Sequence, residues 1–246
     1  MALDYALKFP CEVRKNVPEA KLVALVGYMN LAQFAVAEIR KSNPAEPLET
    51  ILGKYQVHVN QRRPDGITEQ VPMNIEQLVT LAQPISQYIG HCTECRANIA
   101  DCPFGCIAKI NYPIRKESEE WLLSRLPDDM KNSNLLLLLR FLSDLKIDGH
   151  LVDAMRERLF ELKKPLTRHW GSPPNQQQIT SSQIIEMLAF GGNVGPQQAG
   201  LYTKLFGLLS VLSEQHSPSS NIEQFKTLMC AIVMSGRLNA SISFDV

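Results

Sequence analysis

Apolar residues return every three to four positions from Leu22 through Leu25, Val26, Met29 and Phe34 as far as Ile39. That period predicts a helix with Pro18 and Glu19 in its first turn. Asn43, Pro44 and Pro47 end it, because proline has no backbone N–H to donate and restricts the residue before it. At Tyr55 the period drops to two: Tyr55, Val57 and Val59 alternate with Gln56, His58 and Asn60, and Ile67, Glu69 and Val71 follow the turn residues Arg63-Pro64-Asp65-Gly66. A β-hairpin is expected there. Asn74 with Gln77 three residues on has the form of a capping box, and Ile75, Leu78, Val79 and Leu81 give the next helix its apolar stripe, with Pro84 as a kink point.

Beyond a short extended segment at Ile110 to Ile114, the pattern is helical to the end. Glu117 opens a helix carrying Trp121, Leu122 and Leu126, and Leu135 to Leu139 with Phe141 and Leu142 is apolar almost all round, which places that helix inside a bundle. Further helices are expected at about 149–163, 181–190, 197–214 and 221–235. Gly171 to Gln178, with Pro173, Pro174 and three glutamines, is expected to be an exposed connection. Gly191, Gly192, Gly195 and Pro196 lack the Lys-Ser/Thr pair of a phosphate-binding loop and read as a turn between helices.

The expected fold is therefore mainly α, of α+β type. Residues 1–115 would carry the first helix, the hairpin and a four-cysteine metal loop at 92–106, and residues 116–246 a helical bundle with its exposed connection near 171–178. An apolar share of 45% with 20% charged residues is that of a globular protein. Lys plus Arg (25) equal Asp plus Glu (25), so no overall field draws nucleic acid or an anionic membrane, and neither is an expected partner. Short basic patches occur at Arg62-Arg63 and at Lys163, Lys164, Arg168 and His169; the latter lies beside Trp170, a candidate contact surface. Met1 to Lys15 mixes charges among its apolar residues unlike a signal peptide, and Leu22 to Ala37 is shorter than the roughly 20 residues a bilayer needs. A cytoplasmic setting follows as the expectation.

That setting changes how the six cysteines are read. In a reducing compartment clustered thiols bind metal in preference to forming disulfides. Cys92, Cys95, Cys102 and Cys106 follow the spacing C-x2-C-x6-C-x3-C, and are expected to hold one metal centre. The two-residue gap lets both sulfurs of the first pair face one point, while Pro103 and Gly105 let the chain curl between Cys102 and Cys106. Four thiolates suit a closed tetrahedral zinc site, the first expectation, and equally suit a 4Fe-4S cluster, the alternative. His91 could replace a cysteine or hydrogen-bond to a sulfur. Cys11 and Cys230, remote in sequence and in apolar surroundings, are expected to be small buried hydrophobes.

The x2, x6, x3 spacing, with a glycine before the last cysteine, is similar to part of the cysteine pattern in the auxiliary-cluster domain attached to some radical S-adenosylmethionine enzymes. The similarity covers one loop, and the CxxxCxxC motif of those enzymes is absent, so no activity is implied. No catalytic motif stands elsewhere: His58, His150, His169 and His216 are each isolated, and Asp128-Asp129 reads as part of a turn after Pro127. An adaptor or regulator acting through a protein partner is expected ahead of a redox or oxygen sensor, and both ahead of an enzyme.

Overall fold

The chain forms, in order, β1 (Ala2–Leu7), α1 (Glu12–Asn16), α2 (Glu19–Ser42), α3 (Leu48–Lys54), β2 (Gln56–Arg62), β3 (Thr68–Asn74), α4 (Ile75–Ser86), α5 (Ile89–Thr93) and β4 (Ile107–Asn111). There follow α6 (Lys116–Ser124), α7 (Ser133–Asp144), α8 (His150–Asp153), α9 (Arg156–Leu159), β5 (Thr167–Trp170), β6 (Gln177–Thr180), α10 (Ser181–Ile185), α11 (Pro196–Leu205), α12 (Ser220–Leu238) and β7 (Ile242–Phe244). This computed structural model describes residues 2–62, 68–100, 102–214, 217 and 219–244. It is a mixed helix and sheet protein, 55% helical and 15% strand, consistent with the α+β class. The hairpin turn expected at Arg63-Pro64-Asp65-Gly66, together with Asp101 and His216, lies outside the described residues. By contacts the chain divides into two compact units, one of residues 10–95 with 102–104, the other of residues 2–9, 96–101 and 105–246.

In the first unit α2 and α4 pack together because each carries a stripe at helical period. Leu22, Leu25, Val26, Met29, Ala32 and Ala35 are buried on α2, and Ile75, Leu78, Ala82 and Ile85 on α4. The expected hairpin forms, with β2 antiparallel to β3 and Val57 opposite Met73 and Val59 opposite Val71. One core cluster joins both parts: Ala32 and Ala35 of α2 meet Ile51 of α3, Val59 of β2, and Ile75 and Leu78 of α4. The reciprocal half of the expected capping box is made, the Asn74 backbone N–H donating to Gln77 Oε1 at 2.9 Å. At 24 residues α2 is longer than its uncharged stretch, and its length, with a mean hydropathy of 1.6 over an 18-residue window, would also suit a membrane span.

The second unit is built on a three-stranded antiparallel sheet of order β4-β1-β7, in which Leu3 faces Ile110 and Leu7 faces Ile242. Phe225, Leu228, Met229 and Ile232 of α12 are buried, and α12 packs on β4 and on α11. Small residues permit the second contact: a Cβ on Gly236 would stand 3.3 Å from the Gly200 backbone nitrogen. Residues 171–176 are exposed and join β5 to β6, a second antiparallel hairpin. Within α7, Leu135, Leu138 and Leu142 are buried while Leu136 and Leu137 are about half exposed, so this leucine run packs by one stripe and is not enclosed all round as expected.

Tyr5 on β1 is fully buried, and among the described residues its hydroxyl has no hydrogen-bond partner. Burial above all, then the neighbouring Cys230 thiol, raises its pKa well above the ordinary tyrosine value. An unsatisfied buried hydroxyl costs about 1–3 kcal/mol, so Tyr5→Phe should stabilise the protein by about 1 kcal/mol at neutral pH in urea unfolding. The sign with pH follows from linkage. The folded state keeps the Tyr5 proton and the unfolded chain releases it near pH 10, so stability falls as pH rises past about 10, by at most 1.4 kcal/mol per pH unit from this group. Tyr5→Phe should remove that alkaline loss. An unchanged alkaline limb in the variant would show that other groups carry it.

Candidate functional site

Cys92 sits in the short helix α5, where Cys92 N–H donates to Tyr88 O at 3.2 Å and Cys92 O accepts from Cys95 N–H at 3.3 Å. The chain therefore turns tightly between the first two cysteines, as the two-residue gap requires. Cys92 is buried, Cys95 half-buried and Cys102 exposed. Phe104, two residues past Cys102, has φ 60° and is 2% exposed. Its backbone N–H is hydrogen-bonded to Cys92. This is a left-handed position that a bulky aromatic residue rarely takes, and it directs an amide toward sulfur. Amides so placed stabilise the thiolate form and tune a thiolate-held centre.

The Cys92 thiol has its pKa raised, first by burial, opposed by the Phe104 amide, and then by repulsion from Cys95, Cys11 and Cys102. Cys11, distant in sequence, is thus among the thiols whose charge acts on Cys92. Cys11 is half-buried and immediately precedes α1. Its neighbour Glu12 has its carboxyl held below the ordinary range mainly by a hydrogen bond from Lys15, next by Asn16, and last by the His91 ring. A small concavity of about 210 Å³ lined by Asn16, Val17 and Pro18 on one side and Pro84, Gln87 and Tyr88 on the other places the end of α1 against the α4–α5 junction.

Cys92, Cys95 and Cys102 belong to the first unit, while Cys106 belongs to the second. There Cys106 is half-buried, and its carbonyl accepts the Leu7 N–H at 2.9 Å, which ties its backbone to β1 just ahead of β4. Gly105 also has a role in that unit. Its carbonyl accepts from Ile99 N–H at 3.3 Å, and a Cβ there would stand 2.0 Å from Asn98 Oδ1, so the segment 98–100 folds closely over the glycine. Among the described residues, no three His, Cys, Asp or Glu side chains are gathered tightly enough to hold a metal ion. Of the thiols in this loop Cys92 is the buried one, and it is the one with an amide on its sulfur.

The other candidates resolve into structural roles. His91 is exposed and its ring lies 6.4 Å from that of Tyr88. His58 and His169 are exposed, and His150 is an exposed partner of Asp148 at 3.7 Å. Trp170 is 5% exposed and its Nε1–H donates to Pro127 O at 2.9 Å, which removes its ring as a contact surface. Arg168 stacks on that ring, donates to the carbonyls of Leu123 and Leu126 at the end of α6, and pairs with Asp128. The basic residue thus satisfies open helix carbonyls. Gly195 precedes α11 with Pro196 in its first turn, a turn into a helix and not a phosphate loop.

Arg156 is the largest buried group with a charge, and its position in sequence carries no sign of this. It is 1% exposed, and its Nη2 donates to Glu119 Oε2 at 2.7 Å, to Ser182 Oγ at 2.8 Å and to Ser181 Oγ at 3.2 Å. Nε donates to Asp153 Oδ1 at 3.1 Å, Nη1 to Leu162 O at 3.1 Å, and the guanidinium lies 4.7 Å from the centre of the Phe160 ring. Every nitrogen is used, so the group braces α6, α9 and α10 and is not free for chemistry. No protein-family model, curated protein or solved structure matches the chain.

Proposed function

We propose that the chain is a cytoplasmic metal-binding adaptor or regulatory protein, in which cysteine thiolates hold one zinc ion and the folded surface engages a protein partner. The observation that carries this is the buried Cys92 thiol with the Phe104 amide on its sulfur, in a loop whose cysteines follow the spacing C-x2-C-x6-C-x3-C. The ligands assigned are Cys92, Cys95, Cys102 and Cys106, by their spacing in the sequence. A closed thiolate site leaves zinc no open position for substrate, so its part is to fix the chain around it and not to catalyse. No membrane or nucleic acid is required, and α2 acts as a helix packed by its buried face on α4.

Partner binding draws support from apolar surface left open in the first unit. A groove of about 910 Å³ between α2 and α4 is lined by Met29, Val36, Leu48, Leu52, Val79 and Ile89 among others, and Val79 is 46% exposed. Such a groove suits one amphipathic helix of a partner protein. The test of the metal reading is protein purified without oxygen, with metal analysis and an absorption spectrum of the wild type, Cys95→Ser and Cys102→Ala. About one zinc per chain without visible colour, lost in both variants, is the expected result. Iron and sulfide with visible absorption would replace it by a 4Fe-4S protein of redox sensing or electron transfer, and folded protein with neither metal would sink both.

A further inference from the structure

We propose that the groove between α2 and α4 is filled by α7 of a second copy of this chain, so that the protein self-associates through two unlike surfaces. The inference rests on the reading of that groove as a site for a helix and names the helix. α2 and α4 run in opposite directions: Leu25 lies with Pro84 and Gln87, while Ala32 and Ala35 pack with Ile75 and Leu78. The groove therefore has unlike ends, apolar at Met29 and Ile89 and charged at Arg40 and Glu76, which among the described residues are the one cation and the one anion in its lining. Both side chains are exposed, and among the described residues neither has an ion pair or a side-chain hydrogen bond. The walls are helices, whose backbone groups are bonded within themselves, so an extended peptide finds no backbone partners there and a helix needs none.

α7 carries the matching face. Leu135, Leu138 and Leu142 are its buried residues and it packs on α11, while Leu136 and Leu137 are about half exposed and the exposed Arg140–Asp144 pair, 3.4 Å apart, lies toward its end. Positions 136, 137, 140 and 144 share one side of the helix, since residues three and four apart are neighbours on its surface. Along the axis two leucines are followed by a base and an acid, just as the groove passes from apolar to charged. The lengths agree: at 1.5 Å per residue Met29 to Arg40 spans about 16 Å, and the 12 residues of α7 about 18 Å. Asp144 then meets Arg40 and Arg140 meets Glu76, with Leu136 and Leu137 at the apolar end. An acyl chain with a single carboxylate would answer Arg40 and leave Glu76 opposed. A groove on one copy and a helix on the next make a heterologous contact, in which different patches meet.

The experiment is analytical ultracentrifugation of the full chain over a concentration series, with Val79→Asp in the groove and Leu137→Asp on α7, and with zinc measured on the same preparations. Val79 and Leu137 are 46% and 47% exposed, so each variant should keep the fold and its circular dichroism. The wild type should associate as concentration rises, and each substitution alone should weaken association by more than about tenfold, the loss typical of a central interface residue. Mixed in equal amounts the two variants should associate again, because Val79→Asp keeps α7 and Leu137→Asp keeps the groove. A contact between two grooves, or between two copies of α7, would respond to only one of the substitutions and would not be restored by mixing. Should either variant not fold, Arg40→Glu decides: it should weaken association, and Asp144→Lys added to it should restore it. A wild type that stays monomeric at every concentration, or association indifferent to Leu137→Asp, overturns the inference. Zinc bound by such a monomer leaves the metal reading standing, whereas association without bound metal removes that reading and keeps the inference.

Discussion

Arg156→Ala is expected to destabilise the protein by about 3–5 kcal/mol, because it leaves the Glu119 carboxylate buried without its countercharge. Glu119 is 0% exposed, and its side chain has as partners the Arg156 guanidinium and the Ser181 hydroxyl. The hydroxyls of Ser181 and Ser182, which are also buried, would lose an ionic donor as well. The penalty arises from the orphaned charge more than from the lost attraction, so removing both charges should cost less than removing one. Arg156→Met with Glu119→Met should recover most of the loss in guanidinium unfolding, with coupling well above 1 kcal/mol in the double-mutant cycle. A cost below about 1 kcal/mol for Arg156→Ala alone would mean that water reaches the pair. Gly149 belongs to the same region: it has φ +90°, and a Cβ there would stand 2.9 Å from Ser182 Cβ, so α8 can approach the network only with glycine at that point.

Zinc should stabilise the wild type strongly and Cys92→Ser hardly at all. A ligand that binds only the folded state adds RT ln(1 + [L]/Kd), which is about 4 kcal/mol at a free concentration 1,000 times Kd. Urea unfolding with and without buffered zinc measures it, and chelator should return the wild type to its metal-free midpoint. Cys92 is the position to test because it is the buried thiol of the loop and carries the Phe104 amide on its sulfur. An equal zinc increment in Cys92→Ser would remove that thiol from the centre.

The first unit was readable to the extent that its periodicities were clean. The 3.6-residue period of α2, the alternation of Val57 and Val59 and the Asn74–Gln77 pair each named an element that forms. The second unit was less readable. In the leucine run of α7 every position is equally apolar, so no pattern tells Leu138, which is buried, from Leu137, which is about half exposed. Strand β1 was missed because Asp4 interrupts its apolar residues and its partners are distant: Ala6 pairs with Ile107 and with Ser243. Strands β5 and β6 are four residues each, and Trp170 reads as a surface aromatic until Pro127 O is known to accept its N–H. For the candidate site, the sequence pointed to the loop from its short spacers, but the Phe104 amide has no local signature.

The order of strands in the sheet has a consequence for synthesis. β1 is the middle strand, yet it is synthesised before both of its partners, which follow at Ile107–Asn111 and Ile242–Phe244 about 100 and 235 residues later. At 5–20 residues per second, a strand with both hydrogen-bonding edges unpaired waits roughly 10–50 s for its last neighbour. Residues 10–95, which supply most of the other unit, have meanwhile all emerged. The nascent chain therefore carries a growing folded segment behind an open strand, Ala-Leu-Asp-Tyr-Ala-Leu, and Asp4 is the charge that makes this strand a poor template for pairing with another chain.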